Sequence, residues 1–180
     1  MKILVCKNKH CRNNQTEETY KELMNYVEDI EFMHSSCMDL CDYGPNVLSF
    51  PDCTFYQGVT KDRVEDLIHQ QADDLRHPKE RLYDESMEIY YSDPMHRRTV
   101  KLFRWHLDKL GDFEWRTIRE SISIFKDKYD IRGMALTFPV KMALIGTTRG
   151  PDLPKMLQFM GKELAFQRID QYLSDNKYRI

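Results

Sequence analysis

No stretch of this chain approaches the roughly 18 consecutive apolar residues that a membrane-spanning helix needs. The opening Met1-Lys2-Ile3-Leu4-Val5-Cys6 is too short for the apolar core of a secretory signal. The expectation is a soluble, cytoplasmic protein with no membrane partner. Catalytic signatures are missing as well. There is no glycine-rich phosphate loop, no Gly-x-Gly-x-x-Gly turn and no His-Glu-x-x-His pair. No Cys-x-x-Cys occurs, which argues against thiol–disulfide exchange. Internal repeats and low-complexity tracts are absent too. Stand-alone catalysis is not expected, and no residue is assigned a catalytic role. Cysteine is scarce, with five in 180 residues, so its placement carries weight.

Four of the five fall into two tight pairs, Cys6-x4-Cys11 and Cys37-x3-Cys41, separated by 25 residues. In a reducing compartment, paired cysteines serve metal or redox chemistry more often than structural disulfides. Two close pairs brought together by a fold offer four thiolates to one metal centre. The spacings suit both an iron–sulfur cluster and an all-cysteine zinc site. The competing reading, four small buried hydrophobes, does not explain the pairing. Cys53 is the odd one out, which argues against a simple disulfide framework and leaves its own role unassigned. His34 lies close to Cys37 in sequence and reads as a polar neighbour, because the set of four is complete without it.

Charge divides the chain. Residues 1–94 hold 10 Lys/Arg against 19 Asp/Glu, a net of −9, whereas residues 95–180 hold 17 against 10, a net of +7. That polarity points to two parts with different partners, the alternative being two ordinary solvated surfaces.

Periodicity supports the same division. Lys2–Val5 reads as a strand, and Thr16 is expected to cap a helix with Tyr20, Leu23, Met24 and Val27 on its apolar face. Ile30–Met33 reads as a second strand entering the Cys37/Cys41 loop. Val47–Phe50 and Thr54–Tyr56 form a hairpin across Pro51-Asp52-Cys53, and Thr60 is expected to cap a helix carrying Val64, Leu67 and Ile68. The order is β-α-β-β-β-α, with Pro45 a candidate cis residue. Residues 77–94, bracketed by Pro78 and Pro94, read as a connector. From Arg97 the pattern is helical. One stripe is Val100, Phe103, Leu107 and Leu110, and a second is Trp115, Ile118, Ile122, Phe125 and Tyr129. Gly111 is expected to end the first helix and Asp112 to cap the next. A short apolar element, Phe138–Gly146, and helices at Leu153–Met160 and Lys162–Leu173 complete the set.

Residues 1–76 resemble the thioredoxin-like 2Fe–2S ferredoxins and the related small subunit of bacterial NADH dehydrogenases. The resemblance rests on the two cysteine pairs, the Gly44-Pro45 step, the Pro51-Asp52 turn, and Tyr56-Gln57-Gly58-Val59-Thr60. It implies an α/β thioredoxin-like ferredoxin domain whose 2Fe–2S cluster is held by Cys6, Cys11, Cys37 and Cys41. It also implies a redox partner protein and a homodimer. Cys53 departs from the glycine usual there.

Residues 95–180, matching from about residue 100 to 175, are similar to the C-terminal anticodon-binding region of bacterial glutamyl-tRNA synthetases. The residues are Trp115, Phe138–Gly146, Gly150-Pro151-Asp152-Leu153-Pro154, Gly161-Lys162-Glu163 and Arg168. The resemblance implies a small all-α domain that binds tRNA through Gly150, Pro151 and Leu153, with Arg149 and Lys141 as basic contacts. Lys141 stands where that family usually has arginine. No nucleotide-binding domain or aminoacylation signature is present, so the chain is not expected to be an aminoacyl-tRNA synthetase. Taken together, the expected protein is an electron-transfer or redox-sensing iron–sulfur protein with a tRNA-binding helical tail. The alternative is an adaptor with a structural cluster or zinc ion whose tail docks a protein.

Overall fold

The computed structural model describes residues 1–12, 15–26, 28, 30–69 and 92–174. Most of the expected connector lies outside them. The chain divides into two compact units, Met1–Arg81 with Gly150–Asp152, and Leu82–Arg149 with Leu153–Ile180.

The first unit is built on β1 (Lys2–Cys6), β2 (Glu31–Ser35), β3 (Val47–Phe50) and β4 (Phe55–Tyr56), ordered β2-β1-β3-β4. β1 pairs parallel with β2, setting Val5 against His34. It pairs antiparallel with β3, setting Leu4 against Leu48. Ile3, Leu4, Val5 and Cys6 are all fully buried, as expected of a strand covered on both faces. Short helices α1 (Lys9–Arg12), α2 (Thr16–Leu23) and α3 (Val64–Ile68) complete the unit. Ile3, Val5, Leu23, Ile30, Val47, Tyr56, Val59, Val64 and Leu67 form one apolar cluster.

Two expected caps are replaced by other contacts. Thr16 is the first residue of α2 rather than its cap, and its hydroxyl donates to the Cys11 carbonyl at 2.5 Å. Thr60 makes no side-chain cap bond and leads instead into a 3-10 turn, Lys61–Arg63. Both Gly44–Pro45 and Phe50–Pro51 are cis.

The described part of the second unit holds five helices: α4 (Pro94–Asp108), α5 (Trp115–Tyr129), α6 (Met134–Ile145), α7 (Leu153–Met160) and α8 (Lys162–Ser174). α4 begins at Pro94, with the Asp93 carboxylate accepting from the Met95 N–H at 2.7 Å. Pro94 in the first turn wastes no helical donor. Val100, Phe103 and Leu107 of α4 and Ile118, Ile122 and Phe125 of α5 are buried, on the stripes expected of them. α4 ends at Asp108, before Gly111, and Asp112 accepts from the Glu114 N–H at 3.1 Å.

The apolar Phe138–Ile145 segment is the latter part of α6, which packs between α4 and α8 and buries Leu136, Val140, Met142, Leu144 and Ile145. It stops at Gly146, whose φ of 73° suits glycine. The fold class is therefore an α/β unit with a mixed sheet, joined to an all-helical unit.

Candidate metal centre and candidate RNA contacts

Cys6 closes β1, and Cys11 sits in α1 just beyond it; both are fully buried. Their sulfurs are 3.3 Å apart. Cys37 follows β2 and Cys41 opens a 3-10 turn; both are half-buried, with sulfurs 3.4 Å apart. These separations are far longer than the roughly 2.05 Å of a disulfide, and none of the five cysteines is disulfide-bonded. Cys41 is also near enough to Cys11 to raise its thiol. Among the described residues, no group of three or more His, Cys, Asp or Glu side chains is placed to hold a single metal ion. The sulfurs are gathered as two pairs.

Burial raises the Cys11 thiol strongly above its ordinary range, and the neighbouring Cys6 and Cys41 sulfurs push it further. Burial likewise raises Cys37, partly offset by the Asp39 N–H, which donates to its sulfur at 3.3 Å. Both thiols favour the protonated form until a cation replaces the proton.

The surrounding backbone is tightly tied. The Asn46 side-chain amide donates to the Leu40 carbonyl at 2.6 Å and lies 3.9 Å from the Cys11 sulfur. The Cys6 N–H donates to the Asn46 carbonyl at 3.0 Å. Asn46 is 1% exposed, so one buried residue contacts both cysteine-bearing segments. The sequence motifs do not include it, because its partners Leu40 and Cys11 are brought to it only by the fold.

Gly58 and Val59 donate to the Tyr43 and Pro45 carbonyls at 2.6 and 3.0 Å. The Thr19 hydroxyl in turn donates to the Val59 carbonyl at 2.6 Å. His34 stacks on Tyr20 with ring centroids 3.8 Å apart, and its Nε2 is 3.3 Å from Lys7 Nζ. Cys53 lies in the β3–β4 turn with φ 58°, the left-handed region that favours glycine.

The residues expected to touch RNA are placed differently from one another. Arg149 is exposed and Lys141 half-buried, whereas Gly150, Pro151 and Leu153 are buried. Gly150 and Pro151 belong to the first unit. There the Gly150 N–H donates to the Met38 carbonyl at 3.1 Å, and Ser36 and the neighbouring Asp152 exchange two hydrogen bonds at 2.9 and 3.0 Å.

The architecture defines a two-unit protein, with a cysteine-bearing mixed sheet and a bundle of helices. Residues 59–173 match the anticodon binding domain family, and the chain belongs to that family. The match begins well ahead of residue 100, where the motif resemblance starts. A curated relative, the glutamate–tRNA ligase of Bacillus subtilis (strain 168), is 28% identical over 87 residues, which is 48% of this chain and 18% of the ligase. The chain thus spans under a fifth of that relative.

Among solved structures, the wild-type thioredoxin-like [2Fe-2S] ferredoxin from Aquifex aeolicus is similar at 17% identity and a TM-score of 0.38, over 43% of this chain and 95% of the ferredoxin. A glutamate tRNA ligase from Elizabethkingia meningosepticum is similar at 20% identity and a TM-score of 0.48, over 92% of this chain and 29% of the ligase. No helix among the described residues is long and apolar enough to cross a membrane.

Proposed function

We propose that Cys6, Cys11, Cys37 and Cys41 hold a 2Fe–2S cluster, one cysteine pair to each iron, and that the helical unit binds tRNA. The observation that carries the first part is the pairing of the sulfurs, at 3.3 and 3.4 Å. Two thiolates on one tetrahedral metal with bonds of roughly 2.3 Å stand about 3.8 Å apart, so each pair needs only a small opening to accept an iron. A single zinc ion held by all four sulfurs is the competing reading, and it would leave the protein colourless.

When bound, such a cluster supplies reversible one-electron transfer. The chain's own contribution is donor set and surroundings. The buried Cys6–Cys11 pair excludes water, and the Asp39 N–H stabilises negative charge on the Cys37 sulfur. The half-buried Cys37–Cys41 pair is the side open to a redox partner protein.

Family membership supports the second part, together with the net +7 charge of residues 95–180. Arg149 is the exposed candidate for a phosphate contact, with Lys141 a further cation. Burial assigns Gly150, Pro151 and Leu153 to shaping the loop rather than to stacking on bases. In this reading the protein is a redox carrier or sensor addressed to tRNA, and it has no synthetase activity of its own.

Two measurements test it. Anaerobic titration with dithionite should show reversible one-electron reduction without loss of metal, and irreversible bleaching would contradict it. Filter binding of tRNA should weaken steadily as salt rises. Absence of binding at low salt would remove RNA.

A further inference from the structure

One face of α4 sets an exposed tryptophan among cations. Arg98, Lys101, Trp105 and Lys109 follow one another at intervals of three, four and four residues, which a helix of 3.6 residues per turn lines up on one side. Lys109 sits just past the helix with its backbone still in the helical region. All four are exposed, and the stripe is about 16 Å long at 1.5 Å per residue. The buried residues Val100, Phe103 and Leu107 belong to the opposite side of the same helix.

Trp105 is the centre of the stripe and is 49% exposed. Lys109 Nζ lies 3.4 Å from its ring centroid and Lys128 Nζ, from α5, lies 5.8 Å away. Lys128 also stands 5.4 Å from the Tyr129 ring. Arg98 and Lys101 have no carboxylate partner among the described residues. The nearest carboxylate on the helix, Asp108, is already engaged by Arg104 at 3.4 Å and Lys162 at 4.0 Å. The result is a large aromatic surface ringed by cations.

We propose that this face binds an RNA strand, with a base stacked on Trp105 and the flanking phosphates held by Arg98, Lys101, Lys109 and Lys128. The proposal rests on the reading that the helical unit binds RNA, and it adds a second contact surface distinct from the Lys141–Leu153 segment. An aromatic side chain among lysines suits a nucleic acid strand better than an acidic peptide, because every base offers a flat face to stack. A lysine over an exposed ring is held weakly compared with a stacked base. An arriving base can therefore displace Lys109 from the ring, and the released ammonium then pairs with a phosphate.

The test uses the full chain and a fluorescein-labelled 12-nucleotide single-stranded RNA of mixed sequence, with unlabelled tRNA as competitor. Trp105→Ala should weaken binding about tenfold, and Trp105→Phe should restore most of it. Removing Lys101, Lys109 and Lys128 together should flatten the dependence of log affinity on log salt by about 2, at roughly 0.7 for each phosphate left without its lysine. Unchanged circular dichroism melting confirms that the variants fold.

If Trp105→Ala and the triple variant bind as the wild type does while Arg149→Glu weakens binding, RNA is bound elsewhere and this surface is overturned. Wild-type protein that binds neither RNA at low salt removes the RNA reading itself. Polyglutamate competing as well as tRNA would overturn the choice of RNA over an acidic protein.

Discussion

A methyl group placed on Gly44 would stand 3.2 Å from the Cys11 sulfur and 3.5 Å from the Cys11 Cα. The backbone of the Cys41 turn therefore passes directly against the thiol of the other pair. Gly44 has φ −70°, so close approach rather than an unusual backbone angle demands glycine there. Gly44→Ala is expected to displace Cys11 and to cut metal incorporation several-fold while the sheet still forms. The check is absorbance above 400 nm per chain, with far-ultraviolet circular dichroism as the control. Gly58 makes the contrast. It has open space around it but a φ of +61°. Gly58→Ala should therefore cost about 1 kcal/mol of stability and leave metal loading intact.

The Thr19 hydroxyl donates to the carbonyl of buried Val59 at 2.6 Å. Thr19→Val keeps the shape and deletes the donor. A buried acceptor left without its partner costs about 1–3 kcal/mol. A urea midpoint unchanged from wild type would contradict this account of how α2 is tied to the loop below the cysteines.

In the helical unit, Phe103 and Phe125 are both fully buried and meet edge to face, with centroids 5.3 Å apart at 85°. Phe103→Ala should destabilise by about 3–5 kcal/mol. With two units present, the effect should appear in one unfolding transition rather than in both, which urea titration followed by circular dichroism would resolve.

The Asp112 carboxyl is held below its ordinary 3.8 by the Thr117 side chain first and by the Glu114 N–H second. A lowered value means that these hydrogen bonds stabilise at all pH above the ordinary value and cease to do so as pH falls below it. Asp112→Ala should therefore lower the melting temperature at pH 7. The gap from wild type should close as pH is taken down through 3.8 towards 2. A gap of constant size across that range would show that charge on Asp112 is not the cause.

Much of this architecture is readable from periodicity. β1 and β3 are short, mostly apolar runs, and the buried stripes of α4 and α5 follow the 3.6-residue repeat. The cysteine pairs are readable because two short spacings in a cysteine-poor chain stand out. Other features depend on contacts distant in sequence. Thr16 looks like a cap, but the Cys11 carbonyl five residues earlier claims its hydroxyl. α6 begins at Met134, four residues before Phe138, because its mostly apolar sequence carries little period from which to read its start. Its N-terminal signal is Gly133, whose φ of 56° breaks the chain direction. Asn46 is not readable as a tie between cysteine segments, because its partners Leu40 and Cys11 are brought to it only by the fold.

Iron, acid-labile sulfide and zinc, measured per chain together with the visible spectrum on anaerobically purified protein, test the central assignment most directly. The four-thiol centre predicts about two irons and two sulfides per chain and a red-brown protein, with colour abolished by Cys11→Ser or Cys41→Ser and kept on Cys53→Ser. A colourless protein carrying zinc, or one whose colour survives removal of the Cys11 and Cys41 thiols, would contradict it.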